Sequence, residues 1–126
     1  MEDKDSKPRL EDVTRIVLRP LASPLPLGFF AFGIGSVLQS ALQFGLIPQA
    51  DVQNLALVFG AFVFPLELLA ALLAFPSRET VGATILSIIA FSWLGTAIVT
   101  YVSAPDPTNP TVGFLYLSIA VILLLL

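Results

Sequence analysis

An all-α membrane protein is predicted by three features of this chain: long apolar segments, short proline-bearing polar breaks between them, and charge gathered at the N-terminal end. Hydrophobic residues make up 56% and charged residues 12%, and the mean hydropathy is +0.92. A soluble fold of 126 residues has too little interior to hide that much apolar surface, so lipid is the expected solvent. Ten charged residues lie among the first nineteen, and only Asp51, Glu67, Arg78, Glu79 and Asp106 follow. A β-barrel is excluded because no segment alternates apolar and polar residues with a period of two.

Residues 1–22 read as a cytoplasmic tail. The first dozen are charged and solvated. Val13, Ile16 and Val17 then share one helical face, with Arg15 and Arg19 on another, a pattern suited to the lipid surface. Residues 23–126 form the membrane domain, with spans expected at about 26–46, 53–75, 80–101 and 111–126. Each of the first three is long enough for a hydrocarbon core of about 30 Å, which takes about 20 helical residues. The breaks between them are Ile47-Pro48-Gln49-Ala50-Asp51, Pro76-Ser77-Arg78-Glu79 and the Pro-rich run from Ser103 to Pro110, all rich in helix breakers. The fourth segment, ending in four leucines with no polar flank, gives about 24 Å of helix at 1.5 Å per residue. It is expected to be a truncated span, with further membrane segments beyond it.

Orientation follows from the basic residues. Five precede the first span, Arg78 lies in the second break, and the first and third breaks have none. The positive-inside rule then puts the N-terminus and the Arg78 loop in the cytoplasm, in a plasma or inner membrane.

Glu67 is the only charged side chain within the expected spans. A carboxylate at membrane depth costs about 2.5–3.5 kcal/mol, so its retention points to a proton, ion or polar-solute site, and Glu67 is read as a protonatable group. Pro65, two residues earlier, removes the backbone donor to Ala61 and is expected to kink the second helix. A neutral Glu67 bonded to a neighbouring hydroxyl is the other reading.

The first span carries Ser36, Gln39, Ser40 and Gln43 on one helical face, with Phe32 one turn below. The third span carries Thr80, Thr84, Ser87 and Phe91, and a second stripe of Ser92, Thr96 and Thr100. Polar stripes in a lipid-embedded helix face protein or water. They read either as a solute path with Phe32 as an apolar constriction, or as contacts between helices; Gly82, Ala83, Gly95 and Ala97 allow close helix approach.

Several classes are set aside. The chain has no Cys and no His, which removes the usual metal ligands and leaves no nucleophile–base pair, so neither metal, cofactor nor enzymatic chemistry is expected. No basic stripe is present, so nucleic acid is not an expected partner.

Ser23-Pro24-Leu25-Pro26-Leu27-Gly28-Phe29, at the head of the first span, resembles the Asn-Pro-x-Pro-Leu-Gly-Leu signature of the acetate uptake transporter family, the acetate–succinate permeases. Thr80-Val81-Gly82-Ala83-Thr84 followed by Phe91-Ser92-Trp93-Leu94 is similar to that family's Thr-Phe-Gly-x-Thr and Phe-Trp-Leu stretch. The resemblance implies a six-helix protomer in a homo-oligomer, a hexamer, each protomer carrying small monocarboxylates or succinate together with protons. It implies substrate contact at Ser23, Leu25, Pro26, Leu27 and Gly28, with Phe32 at the first-span constriction. Ile89 falls where relatives often have Tyr, Ser23 stands for the signature Asn, and Glu67 falls where some relatives have Gln. Ser36, Gln39, Gln43, Thr84 and Ser87 complete the expected pathway. The alternatives are a non-transporting membrane scaffold or assembly subunit, and a carrier of a neutral solute such as ammonia.

Overall fold

Pro24 and Pro26 fix where the first helix begins. A proline lacks the N–H that an opening helical turn leaves unbonded, and its backbone angle suits that position. In a computed structural model, which describes residues 22–104 and 110–125, α1 accordingly runs Leu25–Gln43 with Pro26 in its first turn. The Pro24 carbonyl accepts from the Leu27 and Gly28 N–H groups at 3.0 and 3.4 Å. All but the last residue of the tail and interfacial segment expected over 1–22, Asp106 with the rest of 105–109, and Leu126 lie outside the described residues.

α1 stops at Gln43, three residues short of the expected 46, because Gly45 takes a left-handed turn with φ +69°. The Leu46 N–H donates to the Ala41 carbonyl at 2.9 Å and the Gly45 N–H to the Leu42 carbonyl at 3.0 Å. This double bond pattern closes a helix end around a residue without a Cβ.

α2 occupies Gln49–Ala74, starting four residues before the expected span. Its first turn, Gln49–Asp51, is a tight 3₁₀ turn, with Asn54 Nδ2 donating to Asp51 Oδ1 at 3.3 Å. Ahead of Pro65, where a bend is expected, the helix opens into a wide π turn over Phe59–Val63, in which the Phe64 N–H reaches back to the Phe59 carbonyl. Widening the helix just ahead of Pro65 makes room for a ring that would otherwise press on the carbonyl four residues back. At the other end, Arg78 adopts φ 62°, while the Glu79 and Arg78 N–H groups bond to the Ala74 and Phe75 carbonyls, each at 3.0 Å. α3 follows at once over Thr80–Ser103, and α4 runs Pro110–Leu125.

Among the described residues there is no strand, and α1, α2 and α3 are each long and apolar enough to cross a membrane. The protein is therefore an all-α membrane protein. α1 and α3 start at the same end of the bundle, where Ser23 Oγ donates to Glu79 Oε2 at 3.0 Å, and α2 runs the other way between them. α4, of 16 residues, packs against α3 and buries none of its own side chains fully.

Two apolar clusters hold the three long helices together. One gathers Leu42, Val52, Leu55, Phe59, Val63, Trp93 and Ala97. The other, nearer the start of α1, gathers Ala70, Ala71 and Leu86, with Leu25 and Leu27 against them. α1 joins both through small residues: its buried positions are Gly28, Ala31, Gly35 and Leu42. A Cβ on Gly35 would come within 2.5–2.9 Å of three carbons of the Trp93 ring. That ring is stiff and is itself stacked on Phe59, at 5.0 Å between centroids. Gly35→Ala is therefore expected to destabilise the fold by about 1–3 kcal/mol. Gly60→Ala, whose Cβ would meet Ala97 at an ordinary 3.5 Å, is expected to change it by less than about 1 kcal/mol. Unfolding midpoints of the two variants in mild detergent check the contrast.

Candidate functional site

The periodicity of three helices converges on one layer. Glu67 lies four residues after Val63, in the first cluster, and three before Ala70, in the second. Ala31 lies between Gly28, which touches Leu86 and Ala70, and Gly35, which touches Trp93. Ala90 lies four residues after Leu86 and three before Trp93. All three are at most 1% exposed, so Ala31, Glu67 and Ala90 make a single layer between the two apolar clusters. Two alanines opposite Glu67 leave the width that a longer side chain needs.

That layer holds a polar group that the fold leaves uncompensated. Glu67 is completely buried, and neither carboxyl oxygen has a hydrogen-bond partner. The indole Nε1–H of Trp93, a residue that clusters with Val63 one turn before Glu67, is likewise buried and unpaired. Buried polar groups are nearly always bonded, and one left unbonded costs about 1–3 kcal/mol. An acceptor and a donor, both buried and left open where three helices pack, are the chemical core of the site. Among the described residues no group of three or more His, Cys, Asp or Glu gathers as a metal site would require.

The residues expected to meet substrate lie at the bundle end that holds the start of α1. Ser23 is exposed; besides donating to Glu79 it accepts from the Leu25 N–H at 3.4 Å. Pro26 is exposed, whereas Leu25 and Leu27 pack on Ala70, Ala71 and Leu86, and Gly28 is buried against Leu86 and Ala70. The two expected constriction residues stand in different surroundings. Phe32 is 41% exposed, and Ile89 packs against the cluster of Trp93 and Phe59.

The stripe on α1 flanks its buried face. Ser36 and Gln39 are half-buried, Ser40 and Gln43 exposed. The Gln39 Oε1 atom is buried without a donor, and Ser40 Oγ bonds back to the Ser36 carbonyl at 2.8 Å. On α3, exposed Thr84 and half-buried Ser87 likewise donate to the carbonyls of Thr80 and Ala83, at 2.9 and 2.7 Å. Such back-bonding satisfies a hydroxyl within its own helix. The second stripe is different. Ser92, Thr96 and Thr100 are buried, and Thr96 Oγ1 pairs with Tyr116 Oη of α4 at 2.9 Å. Thr96 already donates to the Ser92 carbonyl at 2.8 Å, so Tyr116 is the donor of that pair.

Sequence reasoning passed over Trp93 and Gly35 as parts of the site. The available signal was the repeat of small residues Gly28, Ala31 and Gly35 at helical spacing, together with a lone indole N–H in an apolar helix. No protein-family model, curated protein or solved structure matches this chain.

Replacing Glu67 with methionine keeps the length of the side chain and removes the unpaired oxygens. Glu67→Met is expected to raise stability by about 1–3 kcal/mol, read as a higher thermal unfolding midpoint in detergent. A lowered midpoint would mean that the carboxyl is held by partners that the bundle does not supply.

Proposed function

We propose that this protein is a membrane carrier of small carboxylates, acetate- or succinate-like, in which Glu67 takes up and releases a proton as solute passes. The observation that carries this reading is the completely buried, unbonded carboxyl between three apolar helices. A group kept at such a cost to the fold is retained for what its charge change does.

The substrate class is supported by the resemblance of Ser23 to Phe29, and of Thr80 to Leu94, to the acetate–succinate permeases. The α1 head adds no open N–H group to that support, since the Leu25 N–H is turned to Ser23 Oγ and those of Leu27 and Gly28 to the Pro24 carbonyl. Ser23, Leu25, Pro26, Leu27 and Gly28 receive the carboxylate in this reading. Phe32 and Ile89 narrow the path, and the polar groups of Ser36, Gln39, Gln43, Thr84 and Ser87 border it. α1 leaves Phe29, Phe30, Ile34 and Val37 exposed, an outer face for lipid or for neighbouring copies; a hexamer is the assembly the resemblance implies.

Uptake of labelled acetate and succinate into proteoliposomes tests the reading. Saturable uptake that rises when the outside is made more acidic is expected, and Glu67→Gln is expected to remove the effect of the gradient. Absence of uptake of both acids would overturn the carboxylate reading and favour a scaffold or a carrier of a neutral solute.

A further inference from the structure

Trp93 is the only tryptophan of the chain, and its ring is gripped on two sides. Gly35 of α1 lies against one part of the indole, and Phe59 of α2 stacks on it at 5.0 Å and 34°. Only its Nε1–H is left unbonded, and Glu67, whose carboxyl is also unbonded, lies one helical turn after Val63 of the same cluster. A neutral carboxyl has little need of that donor, whereas a carboxylate without a counter-charge needs every donor within reach.

Few other groups compete for the role. α1 has no ionisable side chain. Tyr101 lies at the far end of α3 and is 47% exposed. Tyr116 of α4 is committed to Thr96. Asp51 is exposed and bonded to Asn54, and Glu79 is bonded to Ser23. Arg78 is exposed in the turn after α2.

We propose that Trp93 is the positioning residue of Glu67: its indole Nε1–H donates to the carboxyl when that group is ionised and is released when it is protonated. This rests on the reading of Glu67 as the protonation site. Because the same ring is held between Gly35 and Phe59, the donor stays in place while the charge on Glu67 changes.

The single tryptophan makes the pair observable without transport. Fluorescence of the purified chain in nanodiscs is recorded between pH 4 and 10. The expected result is a one-proton transition that disappears in Glu67→Gln while circular dichroism stays unchanged. A transition of equal amplitude and midpoint in Glu67→Gln, or none in the unmodified chain, would overturn the pairing. In proteoliposomes Trp93→Phe, which keeps a ring and loses the donor, is expected to move the pH midpoint of acetate uptake to higher pH. Uptake that loses its proton dependence in Glu67→Gln but keeps its pH profile in Trp93→Phe would uphold the transport reading and overturn the pairing. A Glu67-dependent fluorescence transition without uptake of either acid would uphold the pairing and sink the transport reading.

Discussion

The contact of Gly35 with the face of Trp93 is the constraint on which the rest of the bundle depends. Lipid is as apolar as leucine, so helices in a membrane are drawn together by close packing, not by escape from solvent. Gly28, Ala31 and Gly35 give α1 a flat side, and α3 answers with Leu86, Ala90 and Trp93. At this short separation a layer lined by alanines forms between the helices, and Glu67 of α2 is the side chain that fills it. A bulkier α1 would leave the carboxyl beside a gap open to lipid or water.

That packing also explains why the polar groups divide into two kinds. Hydroxyls on the outer and flanking faces, Ser40, Thr84 and Ser87 among them, return their protons to their own helix. The cross-helix bond of Tyr116 to Thr96 fastens α4 to α3. Glu67 and Trp93 have neither recourse. Helix termini are closed tightly at Gly45 and, against the preference of an L-residue, at Arg78. The open groups are therefore concentrated in the centre of the bundle, where a change of protonation acts on packing.

Much of this was legible in the chain. The apolar segments and their proline-marked breaks give four helices, with ends displaced by a few residues where Gly45 and Gln49 override hydropathy. Glu67 announces itself as the lone charge in a span. What hydropathy does not reveal is which side of each helix turns inward, because a lipid-facing residue and a buried one are equally apolar. The hydroxyl and amide stripe of α1 drew attention away from its glycine and alanine face. Trp93 was hidden for a related reason: nothing in its neighbours along the chain points to Glu67, which lies on another helix.

The wide turn at Phe59–Val63 decides which way the rest of this helix faces. The buried positions Phe59, Val63 and Glu67 are spaced by four and four, longer than the 3.6 residues of an α-helical turn. A π turn is what a helix becomes when it has accepted one extra residue without unfolding. Each residue advances a helix by about 100°, so removing that extra residue would rotate everything after it, Glu67 included, by about that angle against everything before. The carboxyl would then face away from Ala31 and Ala90. The one wide turn thus sets the direction in which Glu67 faces, and with it the burial of the carboxyl.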